Sequence, residues 1–182
     1  MKKKLLLHIC CAPCSLYVWQ KLQADFELSG IFYNPNIQPF AEYEFRRLEL
    51  IKIAEKLAWP MAYAAYDMRD WFAVIHGLER EKERGARCPV CFRFRLVKVF
   101  QYAREHDFDC VASTLSISPS KVTAQINEQG IALAEKCGIA FLAENFKKKN
   151  GFLISRRQGA ALGVRHQDYC GCVYSKAERL LR

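Results

Sequence analysis

No glycine occurs before Gly30 in this chain. A nucleotide-binding α/β protein opens its first helix on glycines that let backbone N–H groups close around phosphates. Their absence counts against a dinucleotide fold and an ATP-using enzyme of that architecture. No apolar run is long enough to span a membrane. Met1 to Lys4 followed by Leu5-Leu6-Leu7 has a faint secretory look, but the run is too short and leads into cysteines with no small-residue cleavage site. It is read as the solvated start of a core strand, and the chain is expected to be cytoplasmic. Internal repeats, low-complexity stretches and an interdomain linker are also lacking, so one domain is expected over residues 1–182. Acidic side chains are the scarcer sign: 19 Asp and Glu against 28 Lys and Arg, a net charge of +9.

What the chain does have is cysteine, nine in all. Without a secretory signal these indicate metal or redox chemistry rather than a disulfide framework. Seven of the nine fall in three groups: Cys10, Cys11 and Cys14; Cys88 and Cys91; Cys170 and Cys172. Adjacent cysteines are hard to explain by packing and easier to explain as thiolates converging on a metal or iron–sulfur cluster. Cys88-Pro89-Val90-Cys91 at a helix start sets two sulfurs on one face, where the helix dipole favours thiolates. Cys170-Gly171-Cys172 can chelate a metal, form a strained redox disulfide, or be an inert turn. Cys110 and Cys137 are isolated in apolar stretches and are read as small buried hydrophobes. His8 is read as a packed or hydrogen-bonded neighbour of the site.

Strand and helix signals alternate. Strands are expected at Lys4 to Ile9, Leu28 to Tyr33, Met61 to Tyr66, Cys110 to Leu115 and Ile139 to Ala143. Helices are expected at Ser15 to Ala24, Phe40 to Leu57, Asp70 to His76, Cys88 to Glu105 and Lys121 to Lys136, the last closed by Gly138. The second helix should bury Tyr43, Leu50, Ile53 and Leu57. The tail from Asn145 is mixed and basic. This alternation predicts a three-layer α/β fold: a Rossmann-like, mainly parallel five-stranded sheet with helices on both faces. Ligands of such sheets collect at the carboxyl ends of the strands. His8 to Cys14, Tyr33 to Asn36, Asp67 and Ser113 to Ser116 should therefore line one rim.

The excess of basic charge favours a polyanionic partner. Arg46, Arg47, Lys147 to Lys149, Arg156 and Arg157 adjoin the expected rim, and Tyr33 and Phe40 are candidates for stacking on an unpaired base. Two readings compete with an iron–sulfur enzyme. A thiol–disulfide oxidoreductase would use Cys11-Ala12-Pro13-Cys14, but no β-α unit precedes it. A zinc-containing RNA-binding module would hold zinc on Cys11, Cys14, Cys88 and Cys91, leaving Cys10, Cys170 and Cys172 idle.

The motifs as a set resemble the QueH-type epoxyqueuosine reductases. The resemblance runs through His8-Ile9-Cys10-Cys11-Ala12-Pro13-Cys14-Ser15, Phe32-Tyr33-Asn34-Pro35-Asn36-Ile37, Tyr66-Asp67 and Arg87-Cys88-Pro89-Val90-Cys91. It continues through Thr114-Leu115-Ser116, Ser118-Pro119-Ser120-Lys121 and Tyr169-Cys170-Gly171-Cys172-Val173-Tyr174-Ser175. Where the family pattern reads Arg-Gln-x-Tyr, this chain has His166-Gln167-Asp168-Tyr169, with Arg165 one place earlier. The resemblance implies reduction of epoxyqueuosine to queuosine in the anticodon wobble position of tRNA, without cobalamin. It implies a [4Fe-4S] cluster on Cys10, Cys11, Cys88 and Cys91, and a nearby mononuclear iron with Cys14 and Asp67 as candidate ligands. It also implies that Cys170 and Cys172 form a redox-active pair. The expected partners are tRNA carrying epoxyqueuosine and an electron donor, ferredoxin- or flavodoxin-like.

Overall fold

Leu5, Leu6 and Leu7 are all fully buried, which demands apolar matter on both sides of the strand that carries them. That strand is β1, Lys3–His8, at the centre of a five-stranded sheet ordered β3-β2-β1-β4-β5. The others are β2, Phe26–Phe32; β3, Met61–Tyr63; β4, Cys110–Ser113; and β5, Ala140–Phe141. All four pairings are parallel, with Leu5 level with Leu28 on one side and Cys110 on the other. The computed structural model describes residues 1–181; residue 182, the last of the expected domain, lies outside the described residues.

Alternation along β1 sorts the helices into layers. Leu5 and Leu7 point into a core shared with Leu16, Trp19 and Leu22 of α1 (Ala12–Leu22) and with Leu50 and Ile53 of α2 (Phe40–Lys56). Leu6 points the other way, against Leu96, Val99 and Phe100 of α4 (Arg87–Glu105) and Leu133 of α5 (Thr123–Cys137). Between them α3 (Met68–Val74) follows β3 and packs on α4. Gly138 ends α5 in the left-handed region at φ 70, where a side chain would be strained. Among the described residues no helix is long and apolar enough to cross a membrane.

Several boundaries differ from expectation. Helix α1 begins at Ala12, three residues early, because Pro13 has no N–H to waste and its fixed φ suits a first turn. Cys14 therefore sits on the helix. Leu57 is 39% exposed: it lies past the last turn of α2, where the chain has left the core-facing stripe. The third strand stops at Tyr63, since an edge strand has pairing on one side only. The fourth stops at Ser113 and tightens into a 3-10 turn, Thr114–Ile117. The tail holds two helices not anticipated, α6 (Gly151–Ala161) and α7 (Val173–Leu180).

Candidate active site

In this strand order β1 has β2 on one side and β4 on the other, so the chain runs outward in opposite directions from β1. The crevice beyond the carboxyl ends of β1 and β4 is where such sheets bind ligands. The first cysteine group sits there. Ile9 makes the last sheet bond of β1, donating to Ile31 O (2.9 Å). Cys10 and Cys11 follow in the turn, and Cys14 lies in the first turn of α1. The three sulfurs lie within 4.8 Å of one another, Cys10 and Cys11 at 3.8 Å. Thr114, beyond β4, accepts from the Cys10 N–H (3.2 Å) and donates its hydroxyl to Cys10 Sγ (3.5 Å).

The other groups arrive from α4 and α7. Cys88 and Cys91 occupy the first turns of α4; the Arg84 N–H donates to Cys88 Sγ (3.2 Å). Cys88 packs against the cluster holding Cys10, Cys11 and Cys14, while Cys91 and Cys172 pack together with Trp71 and Ile75. Cys172 caps α7, its sulfur accepting from the Ser175 N–H (3.4 Å). Between the pair Gly171 adopts φ +123; a Cβ there would stand 2.9 Å from Ile37 Cγ1, so glycine is required on both counts. A cavity of about 340 Å³ opens beside these groups, lined by Cys10, Cys11, Cys14, Cys170, Arg46 and Lys121, among others. Asp67 is not among the lining residues; its carboxylate accepts the Tyr33 hydroxyl (3.0 Å). All nine cysteines are free thiols, and Cys110 and Cys137 pack in the core clusters.

Thiol acidity is divided within each group. Hydrogen bonds from Cys11 and Cys14 hold the Cys10 thiol well below its ordinary range, against the cost of burial. Cys11 and Cys14 move the opposite way, because each donates to the sulfur that carries charge. Cys172 does the same for Cys170, which is held low while Cys172 is pushed up. Burial pushes Cys88 up to about 11. His8 is pulled down to about 3 by burial and by Arg95, so it is neutral; Nε2 donates to Tyr33 O (3.1 Å) and Nδ1 bonds Ser113 Oγ (2.9 Å).

Two residues expected at a nucleic-acid surface lie inside instead. Arg46 is 2% exposed; it donates to Glu42 (2.7 Å) and to the carbonyls of Tyr169 and Cys170 (both 3.4 Å), fixing the cysteine turn. Tyr33 is likewise 2% exposed, whereas Phe40 is 58% exposed and available to stack. Arg165, one place out of the family pattern, pairs with Glu42 (2.7 Å). The buried cations Arg95 and Lys121 were not anticipated. Basic charge in a sequence does not reveal which side chains the fold turns inward.

Glu42 thus clamps α2 to the tail. Burial raises its pKa, but the hydrogen bonds from Arg165 and Arg46 outweigh burial and hold it below 4.5. A folded-state pKa that is depressed gives stability present above the ordinary value and lost as pH falls through the folded one. Glu42→Gln should therefore lower stability at pH 7 by about 2 kcal/mol, the scale of a charged hydrogen bond. The gap from the parent protein should close as pH drops below about 4.5. Urea unfolding at pH 7 and pH 3.5 measures both, and an equal gap at the two values would refute the clamp.

A three-layer fold around a parallel sheet, presenting thiols at the point where nucleotide-binding proteins of this architecture present glycines, defines a Rossmann-like protein with a cysteine-lined crevice. Residues 5–178 match the family described as epoxyqueuosine reductase QueH. The chain is 43% identical over 178 residues to the epoxyqueuosine reductase QueH of Histophilus somni (strain 129Pt), covering 94% of this chain and 72% of that one. It is 35% identical to that of Thermotoga maritima, covering 96% and 91%. The chain belongs to the epoxyqueuosine reductase QueH family, a family of oxidoreductases. Among solved structures, the U34-tRNA thiolase NcsA from Methanococcus maripaludis with its [4Fe-4S] cluster aligns at TM-score 0.60 and 13% identity, over 96% of this chain and 61% of that one. At that identity the likeness is one of fold.

Proposed function

We propose that this chain reduces epoxyqueuosine to queuosine in the wobble position of tRNA, in the cytoplasm and without cobalamin. The observation that carries the reading is the cage of Cys10, Cys11 and Cys14, opening into a cavity that Cys170 and Lys121 also line. The overall change balances simply. Both C–O bonds of the epoxide break, a C=C bond forms, and two electrons and two protons leave with the oxygen as water.

The residues fit an iron–sulfur group, because the donors are thiols and three of them converge. A cluster would be held by Cys10, Cys11, Cys88 and Cys91, and a second, mononuclear iron would draw on Cys14 and Asp67. Such groups supply one-electron transfer and, from an iron with an open position, Lewis-acid polarisation of oxygen. An external low-potential donor, ferredoxin- or flavodoxin-like, supplies the electrons. Cys170 lines the cavity with Cys172 buried behind it, and the two thiols would release two electrons and two protons on closing to a disulfide, which the external donor would reduce again. Arg46 and Gly171 hold that turn in place. A structural zinc site is closed by four protein ligands, so the open cavity beside these sulfurs favours the catalytic reading.

The decisive assay is anaerobic incubation with tRNA carrying epoxyqueuosine and a chemical reductant, followed by nucleoside mass analysis. The expected product is lighter by one oxygen; unchanged nucleoside with iron-loaded protein would refute the activity. Phosphates of the tRNA would meet the exposed side chains Lys148, Lys149, Arg156 and Arg157, the aromatic Phe40 lying exposed at the start of α2. Lys147 is committed elsewhere, donating to Lys121 O (2.9 Å). Affinity should fall with salt by a log–log slope of about −0.7 to −0.9 per neutralised phosphate. Reversing Lys148, Lys149 and Arg157 to Glu should raise the KM for tRNA and leave iron content untouched. Salt-independent binding would make this face mere solvated surface.

A further inference from the structure

Lys121 is 8% exposed, and a buried ammonium is stable only with compensating negative charge around it. Among the described residues no carboxylate stands within 4.0 Å of it. The charges it faces are those of Cys170, Cys10 and Cys14, with Glu83 adding to them and Arg95 and Lys147 opposing. Its backbone is held still. The Lys121 N–H donates to Ser118 O (3.2 Å), and Lys121 O accepts from Lys147 Nζ (2.9 Å). Arg84 ties down the two preceding residues, donating to Pro119 O (3.0 Å) and Ser120 O (3.2 Å). The other buried cations near the cage are committed elsewhere, Arg95 to Asn34 Oδ1 and Arg46 to Glu42 (2.7 Å). The chain thus holds Lys121 beside a cavity that Cys10, Cys11, Cys14 and Cys170 also line.

We propose that Lys121 is the fixed counter-charge of the cysteine cage, holding the reduction potential of the iron–sulfur group carried there more positive than the thiolates alone would set it. The inference rests on the cluster reading above. Each electron added to a thiolate-bound cluster increases its negative charge. A cation fixed nearby in a poorly screened interior favours the reduced form over the oxidised one. Lys121 is a positioning residue in this role: it acts on the substrate through the potential of its neighbours.

The test is a redox titration, followed by electron paramagnetic resonance, of the anaerobically reconstituted full chain. Iron and sulfide are measured first on the parent protein; their absence would overturn the cluster reading, whatever Lys121 does. With the cluster present, Lys121→Met and Lys121→Gln should make reduction about tenfold less favourable, about 59 mV more negative for one electron. Lys121→Arg, which keeps the charge, should restore the parent potential. An unchanged potential in the neutral variants, or an equal shift in the arginine variant, would overturn the proposal. If the neutral variants take up no iron while the arginine variant does, the counter-charge is needed for assembly itself and the proposal stands. If all three lose iron, shape rather than charge is what matters and the proposal falls.

Discussion

Replacing Cys88 or Cys91 with serine should strip iron and acid-labile sulfide from anaerobically prepared protein and abolish its visible absorbance. Both residues sit in the opening turns of α4, and Cys88 packs against the apolar cluster that includes Cys10 and Cys11. Serine preserves the volume at each position but offers a hard hydroxyl in place of a soft thiolate, a poor iron ligand. Loss of the bound group should also lower the melting temperature, since whatever binds only the folded chain stabilises it by mass action. Cys110→Ser is the control: Cys110 lies in the sheet core away from the cavity and should leave the absorbance intact. Stoichiometric zinc without sulfide in the parent protein would replace the cluster with a structural metal and remove the basis of this expectation.

Cys170→Ser and Cys172→Ser should behave in the opposite manner. Each variant should keep its iron and lose turnover by at least about 10²-fold, the scale of removing a positioned proton-transfer group. The reason lies in their placement. Cys170 lines the cavity, its thiol held low by the hydrogen bond from Cys172. Cys172 in turn is anchored at the cap of α7. Metal content and single-turnover rate, measured on the same preparations, separate the alternatives. Iron loss in both variants would make the pair ligands; parental rates in both would make the turn inert.

The sheet was legible because its signal is local: apolar runs of strand length at regular spacing, each followed by a helical stripe. The tail was not. Helix α6 draws its place from α1, where Gly151 leaves no room for a side chain beside Tyr17 and Gly159 lies in ordinary contact with Pro13. Those are tertiary facts with no periodic trace in the residues that carry them. The same divide runs through the site. Three cysteine groups announce themselves by spacing, whereas Arg46, Arg95 and Lys121 look like any other basic residue until the fold surrounds them. Leu57 errs in the other direction, an apolar residue one step beyond the stripe it was assigned to.

Gln38 makes contact with the tail through three of its polar groups. Its N–H donates to Gly171 O (2.8 Å), its carbonyl accepts the Tyr169 hydroxyl (3.0 Å), and its Oε1 accepts the Val173 N–H (3.2 Å), while Nε2 turns back to Pro35 O (2.9 Å). The loop after β2 is therefore a template, shaped early in synthesis, onto which a segment made some hundred and thirty residues later is cast. Until that segment docks, the template carries unmet polar groups and the Cys170–Cys172 turn has no fixed place in space. The redox role proposed for those sulfurs therefore depends on contacts that Gln38 makes from a loop remote in sequence.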